Sequence, residues 1–149
     1  MACIIAALDL GPATDAVLET SIDLARAFSL PIVVVSAWEH QRPEKAEHAV
    51  GKANEEVGRA MRREQGLLSS HLTHLRSLKL DASLHRANGA ADDVICAAAE
   101  KHAARYIVMG AKQPSALRHL VGSVPADVMR RATVPVVFAG SWQQLPALH

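Results

Sequence analysis

Five short apolar runs alternate along this chain with longer segments in which apolar residues recur every three or four positions. Short apolar runs are typical of buried strands, and the three-to-four spacing is typical of amphipathic helices. Strands and helices in alternation favour a parallel sheet whose crossover connections are helical. The predicted strands are 3–8, 32–37, 80–86, 106–109 and 134–139.

The predicted helices occupy the intervals around these strands, at 13–28, 44–76, 91–103 and 124–132. The second contains several glycines, each costing roughly 1 kcal/mol relative to alanine, so we expect a bend or break near Gly66. Segments 32–35 and 134–138 lack polar alternation, and we therefore expect both to be buried on both faces of the sheet. Pro135 is tolerated only at the start of a strand or on an edge, which places the last strand at the rim.

Size and charge restrict the class of protein. With 149 residues we expect one domain, 1–149, in which 141–149 form a C-terminal tail. The formal net charge is +1 and the aromatic content is 3%. Such a chain has little positive field and few side chains on which bases could stack, so we expect no nucleic acid partner.

The N-terminal run does not have the pattern of a signal peptide, because no charged segment precedes it and Asp9 interrupts it. No segment approaches the roughly 18 apolar residues of a membrane span. We therefore expect a cytoplasmic protein without membrane contact. Cys3 and Cys96 lack metal-ligand spacing, and we expect both to be small buried residues rather than a disulfide.

The ends of the first and fourth predicted strands carry the residues with the clearest functional potential. In an open parallel sheet, ligands bind beyond the carboxyl ends of the strands, where the strand order reverses. If the order is 3-2-1-4-5, Asp9 and Gly110 lie on the two sides of that point. The Asp9 carboxylate would accept hydrogen bonds from a ribose hydroxyl or a base amino group. Gly110, Gly122 and Ser123 would donate to a phosphate, with Lys112 as counter-charge.

A structural interpretation of the same residues stays open, in which the glycines only shape turns and Asp9 caps the next helix through Gly11-Pro12. His71 and His74 lie three apart on the second helix, but no third ligand is evident, so we predict a solvated helix face and no metal site. No signature of a catalytic nucleophile is present. We expect no enzyme, or at most slow ATP hydrolysis.

Five segments together resemble a known family. They are IIAALD at 4–9, NG at 88–89, YIVMGA at 106–111, GSV at 122–124 and VPVV at 134–137. On them the chain resembles universal stress proteins of the adenine-nucleotide alpha-hydrolase-like type, over essentially its whole length. The resemblance implies a stress-response protein with a three-layer α/β fold, a five-stranded parallel sheet in the order 3-2-1-4-5 and helices on both faces. It also implies a homodimer paired through the last strand, at Val134, Val136, Val137 and Phe138.

The ATP-binding branch of this family carries Gly, two residues, Gly, nine residues and then Gly-Ser or Gly-Thr. The resemblance therefore implies ATP or AMP as ligand, with Mg²⁺ as the accompanying ion. It assigns nucleotide contacts to Asp9, Ala37, Gly110, Gly122 and Ser123. Lys112, Gln113 and Val124 complete the predicted nucleotide-binding set.

This chain departs from that pattern in the loop. Gln113 replaces the middle glycine, Pro114 follows it, and the segment up to Gly122 is one residue short. A glutamine adds a Cβ where backbone approach is close, and proline has no N–H to donate. Two alternatives stay open: a protein that binds adenine nucleotide between Asp9 and the 110–123 loop, and a dimeric interaction module of the branch that binds none.

Overall fold

The computed structural model of the chain describes residues 1–38, 50–111 and 124–140. Strands and helices alternate through this part of the chain, as the apolar pattern predicts. The elements are β1 (Cys3–Ala7), α1 (Thr14–Phe28), β2 (Ile32–Trp38), α2 (Val50–Ser77), β3 (Ala82–Asn88), α3 (Ala91–Lys101), β4 (Ala104–Gly110), α4 (Val124–Arg131) and β5 (Val136–Ala139).

The five strands form one parallel sheet in the order β3-β2-β1-β4-β5. This confirms the predicted order 3-2-1-4-5 and places β3 and β5 at the two edges. β5 begins one residue after Pro135, whose carbonyl accepts a hydrogen bond from the Ile107 N–H at 3.1 Å. The predicted position of the last strand at the rim is confirmed, and Pro135 lies just before the strand, where a proline is also tolerated.

Three strands begin at residues other than those predicted. β3 starts two residues later, because Leu80 belongs to the turn that ends α2: its N–H donates to the Leu75 carbonyl at 3.2 Å, and the preceding Lys79 has a φ of 61°. β4 starts two residues earlier, because Ala104 already pairs with Cys3 of β1. β5 starts two residues later, where its pairing with β4 begins. A local turn thus decides the β3 boundary, and pairing between distant segments decides the other two.

α2 runs without a break from Val50 to Ser77, so the predicted break near Gly66 is wrong. Leu68, Leu72 and Leu75 of this helix are buried in the core. Burying one leucine stabilises the fold by about 1.5–3 kcal/mol, whereas a helical glycine costs about 1 kcal/mol. The leucines therefore outweigh the glycine. Residues 44–49 of the predicted helix lie outside the described part of the chain.

Helices cover both faces of the sheet, which confirms the three-layer prediction. α1 and α2 pack on the face that carries Ile4 and Val34. α3 and α4 pack on the face that carries Ile5 and Val33. Successive residues of one strand thus enter two different cores, as the continuous apolar runs require.

The prediction of complete burial holds for β2 but is wrong for the last strand. The first five residues of β2 are buried, whereas Val136, Val137 and Phe138 of β5 are only half-buried. β5 has a neighbouring strand on one side alone in the described chain, so part of its apolar surface remains exposed.

Both cysteines are free thiols, which confirms that they form no disulfide with each other. Cys3 is buried and its Sγ donates to the His102 carbonyl at 3.3 Å, whereas Cys96 on α3 is only half-buried. Burial raises the pKa of both thiols above the ordinary value, so neither is an activated nucleophile. Within the described ranges, no helix has the length and apolarity that crossing a membrane requires.

Candidate functional site

The carboxyl ends of β1, β2 and β4 lie together at one end of the sheet, which we call its carboxyl end. Ala6 of β1 is opposite Val34 of β2 and Val108 of β4. The Leu8 N–H extends this pairing past the end of β1 by donating to the Val35 carbonyl at 2.9 Å. Strand order reverses between β1 and β4, which is where open α/β sheets bind ligands. We call the space beyond these two strand ends the β1/β4 crevice.

Asp9 is exposed and follows β1 directly, where it closes a tight turn. Its Oδ1 accepts a hydrogen bond from the Gly11 N–H at 2.8 Å. Leu10, between them, has a φ of 59°, and the Thr14 hydroxyl donates to the Gly11 carbonyl at 2.8 Å. The N-cap residue of α1 is Ala13, with no side-chain cap bond. The interpretation of Asp9 as a cap of the next helix is therefore wrong, and its carboxylate instead closes the turn that precedes the helix.

This turn leaves the Asp9 carboxylate able to act on a ligand. An ionised carboxylate has about four acceptor positions, and the Gly11 N–H occupies one of them at Oδ1. Because the residue is exposed, its second oxygen meets no crowding from the core. The hydrogen bond to the turn fixes the orientation of the carboxylate and is compatible with a second partner.

Gly110 ends β4 at a point where α1 approaches the sheet very closely. A Cβ atom built at this position would lie 2.7 Å from the Cβ of Ala13, a separation that real Cβ atoms essentially never show. The next residue, Ala111, donates its N–H to the Ala139 carbonyl of β5 at 3.1 Å. Packing of α1 on the end of β4 is therefore sufficient to require a glycine at position 110.

The backbone groups of Ala37, near the carboxyl end of β2, point to the β1 side. Alternate residues of β2 bond to opposite neighbours: the Ile32 N–H donates to the Asp81 carbonyl on the β3 side, and the Val35 carbonyl accepts from Leu8 on the β1 side. Ala37 lies two residues beyond Val35, so its backbone groups also point to the β1 side. They do so at the level where β1 has ended.

The structure thus brings three of the predicted nucleotide contacts, Asp9, Ala37 and Gly110, to the carboxyl end of the sheet. Val124 is the first residue of α4 and is exposed. Lys112, Gln113, Gly122 and Ser123 lie outside the described residues. The assignment of all eight to a nucleotide stays a prediction.

A groove of about 270 Å³ lies beside the crevice, between the β1–α1 turn and α2. Leu10 and Gly11 line it from the turn, Asp15 from α1, and Leu67 and His71 from α2. His74, the other histidine of the pair weighed as metal ligands, does not line it and is exposed on the helix. Among the described residues, no group of three or more His, Cys, Asp or Glu side chains is placed to hold a metal ion.

Comparison with protein families identifies the chain. The model of the universal stress protein family matches residues 2–139, which include every strand and helix described above. The chain belongs to the universal stress protein family. None of the curated proteins matches it.

Solved structures of universal stress proteins have the same fold. The protein from Lactobacillus plantarum superposes with a TM-score of 0.76 at 15% identity, over 93% of this chain and 97% of the other. A protein from Archaeoglobus fulgidus in complex with dAMP gives 0.64 at 22% identity, over 94% and 98%. A family protein from Arabidopsis thaliana with AMP bound gives 0.65 at 15% identity, over 99% and 97%. At these identities the likeness establishes the fold.

Sequence reasoning missed a polar cluster that joins β3 to α2 of this universal stress protein. The guanidinium of Arg86 donates to Glu64 Oε2 at 2.8 Å, to Gln65 Oε1 at 2.9 Å and to the Met61 carbonyl at 3.4 Å. The Arg86 side chain is 12% exposed, and its Nε has no partner among the described residues. Arginine within an apolar strand was the available signal, because such a residue requires a partner when the strand is buried.

A second missed contact joins α4 to α3. The Arg131 guanidinium at the end of α4 donates to Asp92 Oδ2 at 3.0 Å and to Asp93 in the first turn of α3. These carboxylates raise the pKa of Arg131, mainly through the hydrogen bond that Arg131 donates to Asp93. The sequence places the two acids at the start of α3, where they suit the helix dipole, but does not indicate which cation they meet.

Proposed function

We propose that this chain is a non-enzymatic stress-response protein that binds AMP or ATP in the β1/β4 crevice. One observation carries the proposal: the exposed carboxylate of Asp9 and the backbone of Ala37 converge beyond the end of β1, beside Gly110 at the end of β4. This is the reversal point of the strand order. The crevice supplies acceptors at one wall and leads to the 111–123 loop at the other.

The acceptors match a nucleoside better than any other part of a nucleotide. The outward Asp9 oxygen suits a ribose hydroxyl, and the Ala37 carbonyl suits the N6 amino group of adenine. Both acceptors would oppose a phosphate, so the phosphates extend toward residues 122–124. There, backbone N–H groups at the start of α4 and the Ser123 hydroxyl favour an anion. ATP would bring Mg²⁺ with its phosphates.

The solved relatives support an adenine ligand. Universal stress proteins have been crystallised with dAMP, with cAMP and with AMP bound. The family alone does not decide the matter for this chain, since Gln113 and Pro114 alter the loop. We further propose a cytoplasmic protein that hydrolyses ATP slowly if at all.

A second candidate is a dimeric interaction module that binds no nucleotide. Two observations favour it: the close approach of Ala13 explains Gly110 without a ligand, and the bond to Gly11 gives Asp9 a structural role. In this case the half-buried apolar residues of β5 would carry the activity of the protein by pairing two copies.

Thermal unfolding with nucleotides separates the two candidates. At a ligand concentration of 100 times the dissociation constant, binding adds about 2.7 kcal/mol to the free energy of unfolding. We expect AMP to raise Tm, and GMP to raise it less, because guanine places a carbonyl where adenine has its N6 amino group. The same titration with ATP, with and without Mg²⁺, tests the ion. No change in Tm at millimolar AMP and ATP would contradict nucleotide binding.

Two Asp9 variants isolate the ligand contact from the turn. Asp9→Asn keeps an oxygen for the Gly11 N–H but turns an NH₂ group, which cannot accept, toward the ligand. Asp9→Ala removes both interactions. We expect Asp9→Asn to reduce the AMP-induced shift with little change in the Tm of the free protein, and Asp9→Ala to lower both. Asp23→Asn, an exposed acid further along α1, is the matched control. Equal AMP affinity in the parent protein and Asp9→Asn would exclude Asp9 as a contact.

A further inference from the structure

Two imidazole rings meet on the α3/α4 face of the sheet, away from the β1/β4 crevice. Nδ1 of His85, on the edge strand β3, lies 3.0 Å from Nε2 of His102, the C-cap residue of α3. The rings are nearly perpendicular, at 89°, with centroids 5.1 Å apart. This is hydrogen-bond geometry between two side chains that are each half-buried.

We propose that the His85–His102 pair is an acid-sensitive contact that joins the β3 edge to the end of α3 only while the two rings share a single proton between their facing nitrogens. This property goes beyond nucleotide binding and requires no ligand. It would give the protein a conformational response to acidification.

The chemistry of imidazole imposes this limit. In a neutral histidine one ring nitrogen donates and the other accepts, whereas in the cation both donate. At 3.0 Å, one of the two facing nitrogens must accept. One proton added to the pair leaves an imidazolium that donates to a neutral ring. When both rings are cations, two donors and two positive charges face each other, and the contact separates.

In the described part of the chain, no acid raises the pKa of His85. The pKa of His85 lies below its ordinary value of 6.5, first because burial disfavours the cation, then because of the positive charges of His102 and Lys101. On β2, the residue opposite His85 is Val35. From the β1 side, the Cys3 thiol donates to the backbone carbonyl of His102 and not to its ring. Glu64 of α2 is paired with Arg86 of β3. Because Arg86 directly follows His85, its side chain points to the opposite face of the sheet.

The sign of the pH effect follows from this direction. Because the pKa of His85 is lower in the folded state, the folded protein binds fewer protons than the unfolded chain as pH falls through 6.5. The pair therefore contributes its full stability above that pH and loses it as pH falls toward the lower folded pKa of His85. The loss falls on β3 and the end of α3, not on the β4 and β5 side.

Histidine titration by NMR tests the coupling directly. We compare the full chain with His102→Gln, since glutamine can bond to His85 Nδ1 but brings no second positive charge. The His85 midpoint should rise in His102→Gln, although burial keeps it below 6.5. His74→Gln, the same change at an exposed histidine of α2, should leave it unchanged. An identical His85 midpoint in the parent protein and His102→Gln would overturn the proposal.

Unfolding and hydrogen exchange test the consequence without requiring the same variant. Between pH 7.5 and pH 5, the parent protein should lose more Tm than His85→Gln, by about 2 °C or more, because the variant lacks the group with the lowered pKa. Amide exchange in the parent protein, corrected for its intrinsic pH dependence, should accelerate in β3 and at residues 99–103 before it does so in β4. Equal losses of Tm, or uniform acceleration across the sheet, would contradict an acid-sensitive contact at this pair.

Discussion

The two edge strands of the sheet, β3 and β5, differ in the side chains that they present. β3 has seven residues, and side chains on both of its faces make polar contacts: Arg86 with α2 and His85 with His102. β5 has four residues, and its apolar side chains Val136 and Phe138 are half-buried. One edge is held to the rest of the chain by buried or half-buried polar groups. The other presents apolar surface.

This difference indicates which edge is suited to a second copy of the chain. An apolar edge strand left bare tends to pair with another strand. Polar side chains on both faces of β3 instead bond to α2 and to the end of α3. We therefore propose dimerisation through β5, with Val136, Val137 and Phe138 at the interface and Val134 beside it.

The Arg86 cluster gives the largest expected effect on stability. Arg86→Ala removes hydrogen bonds to a carboxylate, an amide and a carbonyl, and hydrogen bonds to charged groups contribute about 1.5–3 kcal/mol. We expect urea denaturation to show a loss of about 2–3 kcal/mol in the free energy of unfolding. Arg63→Ala, at an exposed arginine of α2, should change it little. A loss no greater than that of the control would show that β3 does not depend on this cluster.

Proline at two adjacent positions of β5 separates folding from pairing. The carbonyls of Pro135 and Ala139 accept from β4, so the alternation of the strand directs the backbone of Val137 to β4 and that of Val136 to the free edge. Val137→Pro should cost about 1–3 kcal/mol by leaving a β4 partner unsatisfied. Val136→Pro should lose less stability and change the sedimentation coefficient from dimer to monomer.

Two sedimentation results, one of them on the parent protein, would count against pairing through β5. A monomer at micromolar concentration, or Val136→Pro with an unchanged mass, would contradict the β5 interface.

The smallest effect is expected at Arg131, on the β5 side of the molecule. Its contacts with Asp92 and Asp93 are solvent-exposed, and exposed ion pairs contribute little. Arg131→Ala should lower Tm slightly at low ionic strength, and the difference should vanish near 1 M salt, where charges are screened within about 3 Å. A loss as large as that of Arg86→Ala, or one independent of salt, would remove the contrast between the two sides.

The sequence predicts the alternation of strands and helices well because it follows from local apolar patterns, whereas the strand order is implied only by the resemblance to the family. Pro135 indicated either an edge strand or the start of a strand, since its missing N–H is a local property, and β5 is an edge strand that begins one residue later. The contacts of β3 were not predictable in the same way. His85 and His102 are 17 residues apart, and nothing in either segment indicates that a helix end returns to the level of an edge strand.

The candidate site shows the same limit. Asp9 and Gly110 were placed on adjacent strand ends from the expected order, and the structure confirms that placement. Gly11 was named beside Asp9 only as part of a helix cap, and the contact of Gly110 with Ala13 was missed. The sequence does not show whether a carboxylate or a glycine contacts a ligand or stabilises the fold. Only the distances to neighbouring atoms distinguish the two roles.

The contact between Ala13 and position 110 affects how related sequences are sorted. Where α1 rests this closely on β4, even a methyl group is excluded, and selection for folding retains the glycine in lineages that have lost any ligand. Glycine at that site is therefore a poor diagnostic for nucleotide-dependent members. A classification of such sequences gains more from the residues aligned with Gln113 and Ser123, where this chain departs from and keeps the motif of the ATP-binding branch.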